Sequence, residues 1–335
     1  MKIKHKKIIL TVFIIILGVI LLLFGVSYLS FSHDMDAAKE RLSTSEILKT
    51  PHGDIEYAVQ GEGMPILLLH GAGGGFDFGF WTGRMFFKNN YKIISVSRYG
   101  YLRSPIPDNA SIRNQAALYN VLLDHLNITQ VVVVGTSAGG PSAIQFANDY
   151  PGKCKELILI SAVSGPEPQG SEEPVYIKII HLIQQSDYAY WLFTRFGQST
   201  ILDLMGIPKD VYNNFTMEQK QFAQEMLDVM HPMTPRYQGT INDAEMLLVD
   251  KIPVNNLTAP TLIIHAKDDA LVNYTHALNS HEMIKQSKLV LFDTGGHAML
   301  SQIDHVRETI GQFLNMSSKD PQLSARPLTR DIPGI

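Results

Sequence analysis

A serine, a histidine and a carboxylate that can meet in one cleft make a hydroxyl into a nucleophile, and this chain offers all three in short motifs. Ser137 is the centre of Gly135-Thr136-Ser137-Ala138-Gly139, a G-x-S-x-G pattern that follows four valines, Val131 to Val134. Four β-branched residues in a row read as a strand buried on both faces, as in a parallel sheet. A helical pattern takes over at 141–150. Glycines two residues to either side of the serine remove Cβ atoms that a sharp strand-to-helix turn would crowd. Pro141 suits the first turn of the helix, where amides lack an intrahelical partner. The expectation is a serine hydroxyl held clear of the sheet edge with the Ala138 amide beside it. The competing reading is a plain glycine-rich turn.

A serine hydroxyl is a poor nucleophile until a base takes its proton, and imidazole is the suitable base near neutral pH. A carboxylate then orients the ring and stabilises the imidazolium. His297 follows Gly295-Gly296, and Asp268-Asp269 follow a predicted strand at 260–265. Oxyanion donors are needed as well; the Ala138 amide offers one, and Ala72, in the loop His70-Gly71-Ala72-Gly73-Gly74-Gly75, offers the other. That glycine run taken alone is also compatible with a flexible loop or a phosphate-binding loop. It lacks the G-K-[ST] ending of a P-loop and the spacing of a dinucleotide fingerprint. The loops at 70–75, 135–139, 267–272 and 295–297 all follow predicted strands, and open α/β sheets bind ligands at the carboxyl ends of their strands.

The elements that must position these loops alternate. Strands are predicted at 46–50, 54–59, 66–69, 92–97, 131–134, 157–161, 260–265 and 289–292. Helices are predicted at 111–126, 141–150, 275–285 and 304–315. From 66 to 161 the order is strand, strand, helix, strand, helix, strand, which means a parallel sheet with crossover helices. Residues 165–256 break the pattern with helical stretches and no convincing strand, one over 175–196 and one over 217–230. This block reads as an insertion above the sheet. Its aromatic and methionine side chains are expected to form its own small core or to line an apolar acyl pocket. Residues 33–45 read as a short helical linker and 317–335 as a disordered tail.

Composition narrows the function classes. The 335 residues suit one large domain with an insertion, and the net charge of −4 with no basic stripe makes nucleic acid an unexpected partner. Cys154 is the only cysteine, which excludes disulfides and cysteine-based metal sites and suggests a buried thiol. No His-x-x-x-His helix pattern occurs. His265 reads as a core residue, His70 as support for its loop, His125 as a surface residue, and His181, His276, His281 and His305 as helix residues. Arg98 reads as a structural ion-pair partner; His231 and Asn242-Asp243 suggest no mechanism. Asn109, Asn127, Asn214, Asn256, Asn273 and Asn315 open N-x-[ST] sequons.

The first 29 residues bear on location. Residues 8–29 are nearly all apolar and free of charge, long enough to cross a bilayer as a helix. Lys2, Lys4, Lys6 and Lys7 precede them and are expected to stay in the cytoplasm, placing the rest of the chain outside. The alternative is a signal peptide cleaved near Ser30-Phe31-Ser32, with secretion as the outcome.

With H-G-x-G at 70–73, G-x-S-x-G at 135–139, D-x-x-V at 269–272 and G-H at 296–297 in this order, the sequence resembles the α/β-hydrolase fold family with a helical cap over 46–315. The resemblance implies a core of 46–164 and 257–316, a cap of 165–256, and a triad of Ser137 as nucleophile, His297 as base and then acid, and Asp269 as orienter. It favours Asp269 over Asp268, because the family acid stands before a hydrophobic-Val pair. It implies no cofactor and no metal. Ser97-Arg98-Tyr99-Gly100 departs from the family's more frequent Asp-x-Arg-Gly and touches no triad member. The anchor and the apolar cap point to a lipid-like carboxylic ester, resembling the monoacylglycerol lipases. Amidases, peptidases and carbon–carbon bond hydrolases use the same triad, and the fold does not choose among them. A non-catalytic binding protein of this fold usually lacks a triad member. A transporter or receptor component would be suggested by the anchor alone, and one span offers no pathway. The oligomeric state is not legible.

Overall fold

The computed structural model describes residues 2–87, 90–165, 175–250, 252–254 and 257–319. It divides into two units, 1–43 and 44–335. The first is one uninterrupted helix, α1 (Lys2–Leu42). The linker expected at 33–45 therefore belongs mostly to this helix, which carries on past the apolar run because residues 34–42 are good helix formers with no glycine or proline. Its large apolar side chains between Ile8 and Leu29 are exposed. At 1.5 Å per residue the helix is about 60 Å long, and its apolar part matches the roughly 30 Å of a bilayer's hydrocarbon core.

The second unit is built on an eight-stranded sheet: β1 (Glu46–Leu48), β2 (Ile55–Gln60), β3 (Met64–Leu69), β4 (Tyr91–Val96), β5 (Val131–Thr136), β6 (Cys154–Ile160), β7 (Thr261–Ala266) and β8 (Ser287–Phe292). The order across the sheet is β1-β2-β4-β3-β5-β6-β7-β8, antiparallel at the first two pairs and parallel from there on. Side chains alternate between the faces with a period of two. Leu67, Leu69, Val131 and Val133 pack on one face against α3 (Ile112–His125) and α4 (Gly140–Asp149). Ile66, Leu68, Val132 and Val134 pack on the other against α2 (Phe76–Phe86) and α12 (Ile303–Lys319). Because both faces are covered, the central strands read as continuous apolar runs.

Helix α2 corrects the expected order, which ran directly from the third strand to the fourth. Gly79 and Gly83 weaken its helical signature, since glycine is the poorest helix former after proline. The structure gives Gly79 a packing reason: a Cβ there would lie 1.9 Å from Ser95 Oγ, so the helix can approach the sheet only with a bare backbone.

Between β6 and β7 lies the cap: α5 (Val175–Gln184), α6 (Asp187–Phe196), α7 (Gln198–Leu204), α8 (Lys209–Asn213), α9 (Met217–Val229) and α10 (Thr234–Val249). No strand interrupts it among the described residues. The single stretch expected at 175–196 is two helices, because the Ser186 side chain accepts from the Ala189 amide and starts a new N-terminus. Helix α11 (Thr275–Met283) and α12 complete the chain. Helix α12 continues to Lys319, beyond the start assigned to a disordered tail; 320–335 lie outside the described residues. Cys154 is the buried thiol expected, and burial pushes its pKa up, which keeps the thiol protonated.

Candidate active site

The turn after β5 is as tight as its glycines require. Ser137 opens a short 3-10 turn, Ser137–Gly139, with a left-handed backbone at φ 49°. This region is unfavourable for a residue with a Cβ and is kept where the surroundings enforce it. A Cβ at Gly135 would stand 2.7 Å from the Ala143 Cβ, and one at Gly139 would stand 2.2 Å from the Leu69 carbonyl oxygen. Pro141 falls in the first turn of α4, as anticipated.

The loop after β7 separates the roles of the two neighbouring aspartates. Asp269 accepts from His297 Nδ1, at 3.0 Å on Oδ1 and 2.9 Å on Oδ2, and its Oδ1 also accepts from the Leu271 and Val272 amides at 2.9 and 3.0 Å. Asp268 faces the other way and accepts from the Gly295 and Gly296 amides at 3.2 and 2.9 Å. One carboxylate thus meets the ring, and the other pins the loop that carries the ring. Burial works to raise the Asp269 pKa, yet the hydrogen bonds from His265 and His297 and the charge on His297 outweigh it and hold the carboxylate well below its usual range.

His265 is fully buried, as a core residue would be, but it does more than fill space. Its Nε2 lies 2.9 Å from the Val272 carbonyl and 3.1 Å from Asp269 Oδ2. Both neighbours are acceptors, so Nε2 carries the proton. The i,i+4 spacing of His265 and Asp269 across a strand end was the only trace of this contact in the sequence.

Ser137 and His297 line one cavity of about 300 Å³. With Nδ1 engaged by Asp269, the ring's other nitrogen, Nε2, is the one available for a hydroxyl proton. No hydrogen bond joins it to Ser137 in this structure, and such bonds commonly tighten only once substrate is bound. Ala72 lines the same cavity, and Ala138 follows Ser137 in the 3-10 turn without lining it. Most of the wall is apolar. Ile180, Phe193, Met205, Met226 and Met230 come from the cap and Phe78, Trp81, Met85 and Phe86 from α2. Phe78, Trp81 and Met85 were missed with their helix; their i, i+3, i+7 spacing was the signal that could have found them.

His70 supports its loop, as expected. It is buried; Nδ1 lies 2.6 Å from the Gly71 carbonyl, and Nε2 accepts from the Arg98 amide at 3.1 Å. Burial, and then the Arg98 charge, hold its pKa well below the usual imidazole range, so the ring is neutral.

Arg98 and Asp243, 145 residues apart, form a buried two-pronged ion pair between the loop after β4 and α10. Tyr101 donates to the same carboxylate at 2.6 Å, while Arg98 Nε donates to the His70 carbonyl at 2.8 Å. Arg236 and Asp77, also buried, repeat the arrangement between α10 and α2 at 2.9 and 2.8 Å. Two fork-shaped pairs therefore fasten the cap to the core around the loop at 70–75. His231 is also structural, with Nε2 3.0 Å from Thr194 Oγ1. Replacing Asp243 by alanine leaves a buried guanidinium unpaired, which costs roughly 3–5 kcal/mol. Urea unfolding of Asp243→Ala against wild type checks this; a loss below about 1 kcal/mol would contradict a tightly coupled cap.

The cap also holds the histidine directly. The His297 amide donates to the Met205 carbonyl at 2.8 Å, just past α7. Among the described residues, no group of three or more His, Cys, Asp or Glu side chains is placed to hold a metal ion.

This sheet order, a strained serine between β5 and α4, and an acid and a histidine after β7 and β8 are the plan of a hydrolase fold. A family model for the alpha/beta hydrolase fold matches residues 64–302, and the chain belongs to that family. Its relatives include an uncharacterized hydrolase, YcgS, of Bacillus subtilis, 28% identical over 73% of this chain and 88% of that protein. A 2-hydroxymuconate semialdehyde hydrolase of Pseudomonas putida is 26% identical over 73% of this chain and 84% of its own length. Among solved structures, an alpha/beta hydrolase fold protein from Nakamurella multipartita superposes with a TM-score of 0.69 at 23% identity, covering 81% of this chain and 98% of that one, a likeness of fold.

Proposed function

We propose that this chain is a serine hydrolase that cleaves a carboxylic ester with an apolar, lipid-like acyl group. The observation that carries the reading is that His297, hydrogen-bonded through Nδ1 to Asp269, lines one apolar cavity together with Ser137. Ser137 Oγ attacks the ester carbonyl carbon while His297 Nε2 takes its proton. Asp269 keeps Nδ1–H pointed at itself and stabilises the imidazolium. The carbonyl oxygen, now negative, is held by the Ala72 and Ala138 amides. When the bond to the alcohol oxygen breaks, that oxygen leaves with the proton from His297, and the acyl group stays on Ser137. Water then repeats the sequence and frees the acid.

A second reading is favoured by the relative named for hydrolysing 2-hydroxymuconate semialdehyde: carbon–carbon bond hydrolysis by the same residues. A muconate is a carboxylate by name, and a buried anion needs a cation. No lysine or arginine lines the cavity among the described residues, and 166–174 contain neither. The ester reading therefore fits the wall better. The expected result is measurable hydrolysis of p-nitrophenyl esters of graded chain length, rising with acyl length until the cavity is filled. Hydrolysis of amides or of dienoates with none of esters would overturn it.

We further propose that α1 anchors the enzyme in a membrane with its lysine-rich end in the cytoplasm and the catalytic unit outside. Its length, a mean hydropathy of 3.2 over its most apolar 18 residues, and its exposed apolar side chains support this. Protease added to intact cells is expected to digest residues after 43, whereas complete protection would contradict the orientation. Recovery of a chain lacking its first 30 residues from the medium would favour the cleaved-signal alternative.

A further inference from the structure

A second serine lines the cavity that holds Ser137. β5 and β6 run in parallel up to the pair Thr136 and Ile160, and Ser137 and Ser161 are the residues that follow them. Both have left-handed backbones, φ 49° and φ 47°. Both line the cavity. Ser161 is only 2% exposed, yet its Oγ has no hydrogen-bond partner. A buried hydroxyl left unpaired is costly, and so is a serine at positive φ; the two together mark a site kept for a ligand.

The contrast with the rest of the wall is clear. Thr82 donates to the Phe78 carbonyl, Thr136 to the Leu69 carbonyl and Tyr190 to the Met230 sulfur, and Thr240 accepts from the Gly73 amide. Those hydroxyls are already engaged. Among the described residues, the cavity holds one more buried unpaired polar atom apart from Ser161 Oγ, namely Gln184 Oε1.

We propose that Ser161 is a substrate-recognition residue that binds a hydroxyl close to the scissile ester bond. This rests on the ester-hydrolase reading and narrows its substrate class. Ser137 and Ser161 line one cavity at the ends of neighbouring strands, which are about 4.8 Å apart, so a group held by Ser161 lies near a carbonyl carbon attacked by Ser137. A hydroxyl can accept from or donate to Ser161 and can donate to the acceptor on Gln184. An ionised group would enter a cavity that no lysine or arginine among the described residues lines. The fitting substrates are 3-hydroxyacyl esters, with the hydroxyl on the acid side, or esters of a polyol, with it on the alcohol side.

Matched esters test this: p-nitrophenyl 3-hydroxybutyrate against p-nitrophenyl butyrate, and glyceryl butyrate against propyl butyrate. In at least one pair the wild type is expected to favour the hydroxylated member by about tenfold in kcat/KM, as for a site whose polar group is otherwise left unpaired. Ser161→Ala keeps the Cβ and the backbone and removes only the hydroxyl; in it the ratio is expected to fall to about one. Ser161→Gly, which also relieves the left-handed strain, should lose the preference too, so misfolding of one variant does not decide the matter. A wild type with no preference in either pair, or variants that keep it, would overturn the proposal. Binding of the same esters to Ser137→Ala and to Ser137→Ala/Ser161→Ala, by calorimetry, reads the preference without turnover. If the wild type cleaves no ester, the hydrolase reading fails, and the binding comparison decides Ser161 by itself: equal affinity for both members of each pair rejects it.

Discussion

Ser137→Ala should lower kcat/KM on a short p-nitrophenyl ester by about 10⁵-fold or more, leaving only the background that binding and oxyanion donors provide. The size of the effect follows from the roles assigned. Without Oγ there is no acyl-enzyme, and His297 and Asp269 have no proton to move. Stability should change little or improve, because the substitution at φ 49° removes an oxygen that makes no hydrogen bond in this structure and leaves the backbone strain as it was. Steady-state kinetics on protein purified away from host esterases, paired with a thermal melt, checks both halves. A loss of less than about a hundredfold would mean that Ser137 is not the nucleophile.

The second large effect separates two neighbours. Asp269→Asn should cost about 10⁴-fold in kcat, the scale of losing the group that fixes the imidazole tautomer and compensates its charge. An asparagine amide turned toward Nδ1 would stabilise the wrong tautomer, with the proton on Nε2, where the base must be free. Asp268→Asn should cost far less, on the order of tenfold, since its carboxylate holds backbone amides rather than the ring and an amide oxygen can still accept from one of them. The opposite ranking would make Asp268 the orienting acid and require the loop to rearrange.

What could be read from the chain divides by distance along it. The elbow at Ser137 was legible because its causes are local: four valines, two glycines at fixed offsets, a proline one turn on. Asp269 and His297 were legible as strand-end residues whose order matches a known plan. Helix α2 was not, although it supplies a large part of the cavity wall, because Gly79 and Gly83 weaken its helical signature and Gly79 is dictated by contact with β4 rather than by helical preference. The partner of Arg98 could not be read either. Its carboxylate lies 145 residues away in the cap, and nothing local in Asn242-Asp243 marks the pairing. Likewise, a glance at Asp268-Asp269 shows two acids but not which way each turns; only the placement of β8 and its following loop decides that. Ser161 looks ordinary in the sequence, and its interest appears only when the pairing of β5 and β6 brings it and Ser137 to neighbouring strand ends on one cavity.

The cap deserves the same physical reading. Its two buried ion pairs and the bond from the His297 amide to Met205 tie the loops after β4 and β8 and helix α2 to the insertion that walls the cavity. Breaking a buried pair strands a charge, so the cost appears as lost stability before it appears as lost specificity.

The central claim is that Ser137 is a nucleophile activated by His297. Intact-mass spectrometry after exposure to an alkyl fluorophosphonate measures this without knowledge of the natural substrate. One phosphonyl adduct per chain, mapped to Ser137, absent in Ser137→Ala and formed far more slowly in His297→Ala, is the predicted result. An unlabelled wild type, or labelling that persists when Ser137 is replaced, would contradict it.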